Sequence, residues 1–231
     1  MEKKNVKDLM FNDIALQIII VLVMAISFLF MNDIPNKLFS KLRLRNRKDI
    51  QAKHHFVQGA QLFAKARSSS SSSNSNSKSR SIANSLSKQA LAEAEKAIAL
   101  DPNDAAVHLL KSLVLDLQGF RTSALESIDV ALSPIAAKSL SESERGDAHL
   151  MRAELKMRSG KGKGKGTTVK EDLEEAVRLN PKNARAFCVL GEWYEGKKMK
   201  DEALKAYEEA IGLEPELRVA QDALNRMRSS S

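Results

Sequence analysis

The sequence predicts an all-α solenoid of about four stacked helix pairs with a C-terminal capping helix, preceded by one N-terminal transmembrane helix. Three observations lead there. A 34-residue period runs through the C-terminal half, where Ala176 and Pro181 precede Ala210 and Pro215 by that interval. Each period holds two stretches of apolar residues at helical spacing, so each unit is a helix pair that must stack to bury its apolar face. At the other end, Ile14 to Met31 is an uncharged run of 18 residues, twelve of them Ile, Leu, Val or Phe.

The clearest unit opens with Phe187, Leu190, Gly191 and Tyr194, and continues through Ala203, Tyr207 and Ala210 to Pro215. Phe187, Leu190 and Tyr194 recur at helical spacing on a first helix, where Gly191 permits close approach of a second. Ala203 and Ala210 place two small side chains on one stripe of that second helix, with Tyr207 between them, and Pro215 ends it. This unit resembles the tetratricopeptide repeat family, whose pattern runs aromatic, two residues, Leu-Gly, two residues, Tyr, then Ala, three residues, aromatic, and later Pro. The opening aromatic is Phe187 instead of Trp.

Working backwards recovers three weaker units. The second runs from about Ala105, with Leu115, Gly119, Ala124, Ile128 and Ala131 in register and a closing Pro134 two residues early. The first closes with Ala90, Ala97, Leu100 and Pro102, and its opening helix is predicted over Ile50 to Arg67, with Gly59 at the small position. The third opens around Gly146 to Gly160 and closes with Leu173, Ala176, Leu179 and Pro181. Glu216 to Arg228 carries Leu217, Ala220 and Leu224 on one stripe between polar residues, the composition a terminal cap requires.

Two units are split by low-complexity inserts. Residues 68–81 hold ten serines with Asn, Lys and Arg, and 159–166 alternate Gly with Lys. Neither can bury enough apolar surface to order itself, and both are predicted to be disordered. Lengthening a loop costs about 0.6 kcal/mol per doubling, so the helix pairs tolerate them. The predicted organisation is a tail at 1–13, an anchor at 14–31, a basic segment at 32–49, repeats at 50–228 and a short tail at 229–231.

The apolar run spans about 27 Å as a helix, long enough to cross a bilayer. Asp8 and Asp13 before it, and the lack of a small-x-small site after Phe30, favour an anchor over a cleaved signal peptide. Lys3, Lys4 and Lys7 precede it, whereas Lys37, Lys41, Arg43, Arg45, Arg47 and Lys48 follow within 17 residues. That asymmetry predicts a single-pass protein with its repeats in the cytosol, at the endoplasmic reticulum or a mitochondrial or plastid outer membrane. The single cysteine, Cys188, and the lack of an Asn-x-Ser/Thr acceptor agree with this.

The formal charge of +8 is unevenly distributed. Residues 1–89 carry 15 Lys or Arg against 5 Asp or Glu, and the remainder carries 22 against 24. Basicity therefore belongs to the segment beside the membrane, where it suits anionic lipid. No aromatic-rich readout motif accompanies it, so a nucleic-acid partner is not expected. Catalysis, cofactors and metals are not expected either. The Gly-Lys run has glycines only at 160, 162, 164 and 166, which rules out the odd separation a phosphate-binding loop needs. Cys188 reads as a packed thiol; His54 and His55 point to different sides of a helix, and His108 and His149 occupy equivalent repeat positions.

The resemblance implies a groove, lined by the first helix of each unit, that receives a peptide or a partner's helix. One subset of the family grips acidic chaperone tails with Lys, Asn, Asn, Lys and Arg. Threading from the first unit places Phe56, Ala60, Leu110, Asp147 and Met151 at those positions; threading from the second places Leu109, Leu113, Met151, Arg185 and Val189. Only Arg185 resembles a clamp cation, so that client is not expected. The groove is predicted to be lined by Leu109, Leu113, Asp116, Leu150, Glu154, Arg185, Glu192 and Glu195. The function expected is a membrane-anchored adaptor that binds a protein or peptide and has no small-molecule substrate. A structural subunit packed permanently in a membrane complex is the alternative.

Overall fold

A computed structural model of the protein describes residues 34–71, 77–160 and 168–229. They fall into two units, Met1–Ile50 and Gln51–Ser231, and the repeats occupy the second. All regular structure among the described residues is helical: α1 (Ile34–Ser71), α2 (Ser77–Leu100), α3 (Ala105–Leu117), α4 (Arg121–Ala131), a 3-10 turn (Ala136–Ser139), α5 (Glu142–Ser159), α6 (Val169–Leu179), α7 (Ala184–Gly196), α8 (Lys200–Leu213) and α9 (Arg218–Ser229). From Gln51 onward the helices pair as α1/α2, α3/α4, α5/α6 and α7/α8, with α9 closing the stack.

Helix starts follow local chemistry. Asp104 and Asn183 accept hydrogen bonds from the backbone N–H of Ala106 and Ala186, capping α3 and α7. Ser141 with Glu144, and Thr168 with Glu171, form reciprocal capping boxes on α5 and α6. Gly119 ends α3 at φ +87, a left-handed conformation that L side chains avoid. The corresponding residue after α7 is Lys198, which takes φ +61.

The core is a ladder of small residues. Ala90, Ala97, Ala124, Ala131, Ala176, Ala203 and Ala210, on the second helix of each unit, are all fully buried. Their size lets the helices approach, and larger neighbours fill the remaining space: Val107, Leu110 and Val114 against α2, and Leu190 and Val189 against α6. In the fourth unit Tyr207 is fully buried, and a Cβ placed on Gly191 would lie 2.8 Å from two of its ring carbons. Gly191→Ala is therefore expected to cost about 1–3 kcal/mol. Gly196→Ala, in open space, should cost nothing. Urea denaturation of both variants checks this.

The third unit is built differently. At the spacing occupied by Phe187, Leu190 and Tyr194 in the fourth unit, α5 carries His149, Arg152 and Lys156. All three converge on Asp172 of α6, which is 1% exposed and sits 34 residues before Ala206. Arg152 Nε donates to both carboxylate oxygens at 3.0 and 3.1 Å, and Lys156 Nζ donates at 2.6 Å. Arg152 also reaches Asp129 of α4 at 2.9 Å, tying this unit to the second. Burial by itself would raise the Asp172 carboxyl, but the hydrogen bonds from His149, Arg152 and Lys156 outweigh it and hold the group down at about 2.

Several expectations change. The opening helix starts at Ile34, before the expected Ile50, and the cap starts at Arg218, two residues after Glu216. Serines 68–71 continue α1 and residues 77–81 begin α2, so the serine tract is ordered at both ends; 72–76 lie outside the described residues. Ala66 and Ala83, both buried near those ends, anchor the extra turns. Packing thus overrides composition. Ser159 completes α5 and Gly160 caps it in a left-handed conformation, whereas the remainder of the Gly-Lys insert, 161–166, lies outside the described residues. So does the apolar span 14–31. Among the described residues no helix is long and apolar enough to cross a membrane.

Candidate functional site

The first helices of successive units present residues in register, one turn apart, to a shared groove of about 850 Å³. Phe63 and Arg67 come from α1, Leu113, Asp116 and Leu117 from α3, a row from Asp147 to Arg158 from α5, and Arg185, Cys188, Val189 and Glu192 from α7. Leu217 and Val219, at the start of the cap, close the far end. The floor is apolar, from Leu113, Leu150, Met151 and Val189, and the walls are charged.

Of the residues predicted to line this groove, Leu113, Asp116, Leu150, Glu154, Arg185 and Glu192 do so. Leu109 and Glu195 do not. Leu109 packs with Ala105, Ala131, Ala136 and Leu140, because the 3-10 turn after Pro134 covers that end of α3. Glu195 turns toward the cap, accepting from Tyr207 Oη at 2.9 Å and from Arg226 at 2.8 and 2.9 Å. Nothing in the 34-residue pattern announces either the turn or the arginine of α9. Asp147, Met151 and Val189, met only as positions threaded onto the chaperone clamp, do line the groove. Arg158 was legible as the residue one turn beyond Glu154.

Most groove charges are already satisfied. Arg158 pairs with Asp116 at 2.9 Å and Arg185 with Glu154 at 2.8 Å. With Arg226–Glu195 at 2.8 Å, these pairs join α3 to α5, α5 to α7 and α7 to α9, one at each joint from the second unit onward. Asp147 accepts from the side-chain amides of Asn180 and Asn183 at 2.9 and 2.8 Å. The one clamp-like cation, Arg185, is thereby engaged. Glu192 differs: it is exposed, and no hydrogen bond or ion pair holds it among the described residues. Partial burial, then the neighbouring carboxylates Glu154 and Glu195, push its carboxyl above the usual range, against the pull of Arg185.

Burial, followed by the charge of Glu192, raises the Cys188 thiol to about 11. At neutral pH it is protonated, which suits a groove wall and not a nucleophile. Three of the four histidines are engaged in holding the stack: His55 with Glu93 at 2.6 Å in the first unit, His108 of the second with the Pro102 carbonyl at 2.9 Å at the close of the first, and His149 with Asp172 in the third. No group of three His, Cys, Asp or Glu among the described residues could hold a metal ion.

A family model of the tetratricopeptide repeat matches residues 184–217, the unit formed by α7 and α8. Those residues carry a tetratricopeptide repeat, and the units around it stack in the same fold as tetratricopeptide proteins of known structure. Solved structures agree on the fold. A MamA crystal structure is 18% identical, with a TM-score of 0.55 over 78% of this chain and 81% of that one. MamA from Desulfovibrio magneticus RS-1 is 21% identical, with a TM-score of 0.52 over 65% of this chain and 79% of that one. YrrB, described as a TPR protein with an unusual peptide-binding site, is 20% identical, with a TM-score of 0.50 over 63% of this chain and 70% of that one. No curated protein matches by sequence.

Proposed function

We propose that the chain is a membrane-tethered adaptor that holds a segment of a partner protein in the groove between α1 and α9, at the cytosolic face of the membrane. The observation that carries the groove is its construction. An apolar floor is shared by every unit, the walls have their charges placed, and one carboxylate, Glu192, is left unmatched. Such a surface supplies burial for affinity and polar groups for register. The tether rests on the apolar span 14–31 and the basic residues after it.

Replacing Arg185 and Glu192 together with alanine should weaken partner capture while leaving the helical content unchanged, since both side chains are exposed. Affinity capture on the full chain, alongside far-UV circular dichroism, tests this. Capture at full strength by the double variant overturns the groove reading.

A further inference from the structure

We infer that the groove's occupant is a cationic segment of a protein, carrying a Lys or Arg between apolar residues, with the positive side chain seated on Glu192. This rests on the groove reading above and adds the chemistry of the ligand.

The argument is one of charge complementarity across a defined surface. Each neighbouring polar group in the groove has an internal partner: Asp116 has Arg158, Glu154 has Arg185, and Asp147 has two asparagine amides. An incoming anion near Glu192 would have to compete with Asp116 for Arg158 or with Glu154 for Arg185. An incoming cation finds Glu192 without displacing anything, and relieves its repulsion with Glu154 and Glu195. Beside it lie Cys188 and Val189, and the floor continues through Leu150 to Leu113. An aliphatic side chain on either side of the cation therefore has apolar surface to cover. The geometry selects against the acidic chaperone tail twice, because its clamp residues are missing and its charge is wrong.

The test uses the full chain in detergent micelles and three fluorescein-labelled 15-residue peptides of Ala and Leu, identical except for two central residues that are Lys, Gln or Glu. Anisotropy titration should give binding of the Lys peptide roughly tenfold tighter than the Gln peptide, as a charge-assisted contact provides, with the Glu peptide weakest. Glu192→Gln should erase the difference between Lys and Gln, and Glu192→Asp should retain most of it. If the Lys preference is absent, or survives Glu192→Gln, the cationic occupant is overturned. Leu113→Asp separates the two readings. If it weakens all three peptides alike while no charge preference exists, the groove stands and only the cation falls; if binding ignores it, the groove reading falls as well. Matching thermal unfolding of the variants excludes loss of fold as the cause.

Discussion

Asp172→Ala is expected to destabilise the repeats by about 3–5 kcal/mol, because it removes the buried carboxylate on which Arg152 and Lys156 converge and leaves Arg152 its pair with the exposed Asp129. That is a large part of the 5–15 kcal/mol typical of a folded domain. Equilibrium urea denaturation reads the loss as a fall in midpoint at unchanged slope. The counterpart experiment gives the third unit the residues of the fourth: His149→Phe, Arg152→Leu, Lys156→Tyr and Asp172→Ala in one chain. Replacing a buried ionic cluster by packed apolar groups is often neutral or stabilising, so this quadruple variant should unfold no earlier than the parent. Asp172 also sets a pH limit. Its carboxyl is held at about 2 against an ordinary 3.8, so the folded state takes up this proton less readily than the unfolded chain. The stabilisation, on the order of 2 kcal/mol, is complete above about pH 4 and lost as the pH falls through 2. In Asp172→Ala that part of the acid transition should disappear.

Tyr207→Ala is expected to cost about 3–5 kcal/mol, the range for truncating a large buried side chain. Tyr207 is fully buried, faces Gly191, and belongs to the cluster that seats Ala220, Ala223, Leu224 and Met227 of the cap. Its loss should therefore free α9 as well, seen as protease cleavage near Arg218 under conditions where the parent resists. Tyr207→Phe keeps the ring and removes only the hydrogen bond to Glu195, for about 1 kcal/mol. Glu195 retains Arg226, so the cap should stay docked in that variant. Equal losses in the two variants would place the energy in the hydroxyl and contradict this account.

These sites also show what was legible in advance. Small residues repeating every 34 positions can be read because their reason is steric and local: Ala203, Ala210 and Gly191 exist to let two helices touch. The third unit was faint for an equally physical reason. His149, Arg152 and Lys156 look like a solvated face until Asp172 is placed opposite them, and that pairing across helices leaves no mark on periodicity. Ser68 to Ser71 have the composition of a loop, yet the buried Ala66 just before them holds the helix on. In the groove, Leu113, Asp116, Leu150, Glu154, Arg185 and Glu192 follow from the inward stripe of each first helix, which helical spacing alone defines. Leu109 and Glu195 were misplaced because a turn after Pro134 and an arginine in the cap decide where they go.

The pairs Asp116–Arg158, Glu154–Arg185 and Glu195–Arg226 each latch one unit to the next at solvent-reachable positions, while apolar clusters pack beneath them, joined at the second unit by the Arg152–Asp129 pair. Dissolved ions weaken surface latches of this kind and leave apolar packing intact. Ionic strength is thus expected to set how firmly successive repeats hold to one another, and with that how well the groove keeps its shape. A ligand carrying no charge at all would still bind with an affinity that depends on salt, through the joints of its host.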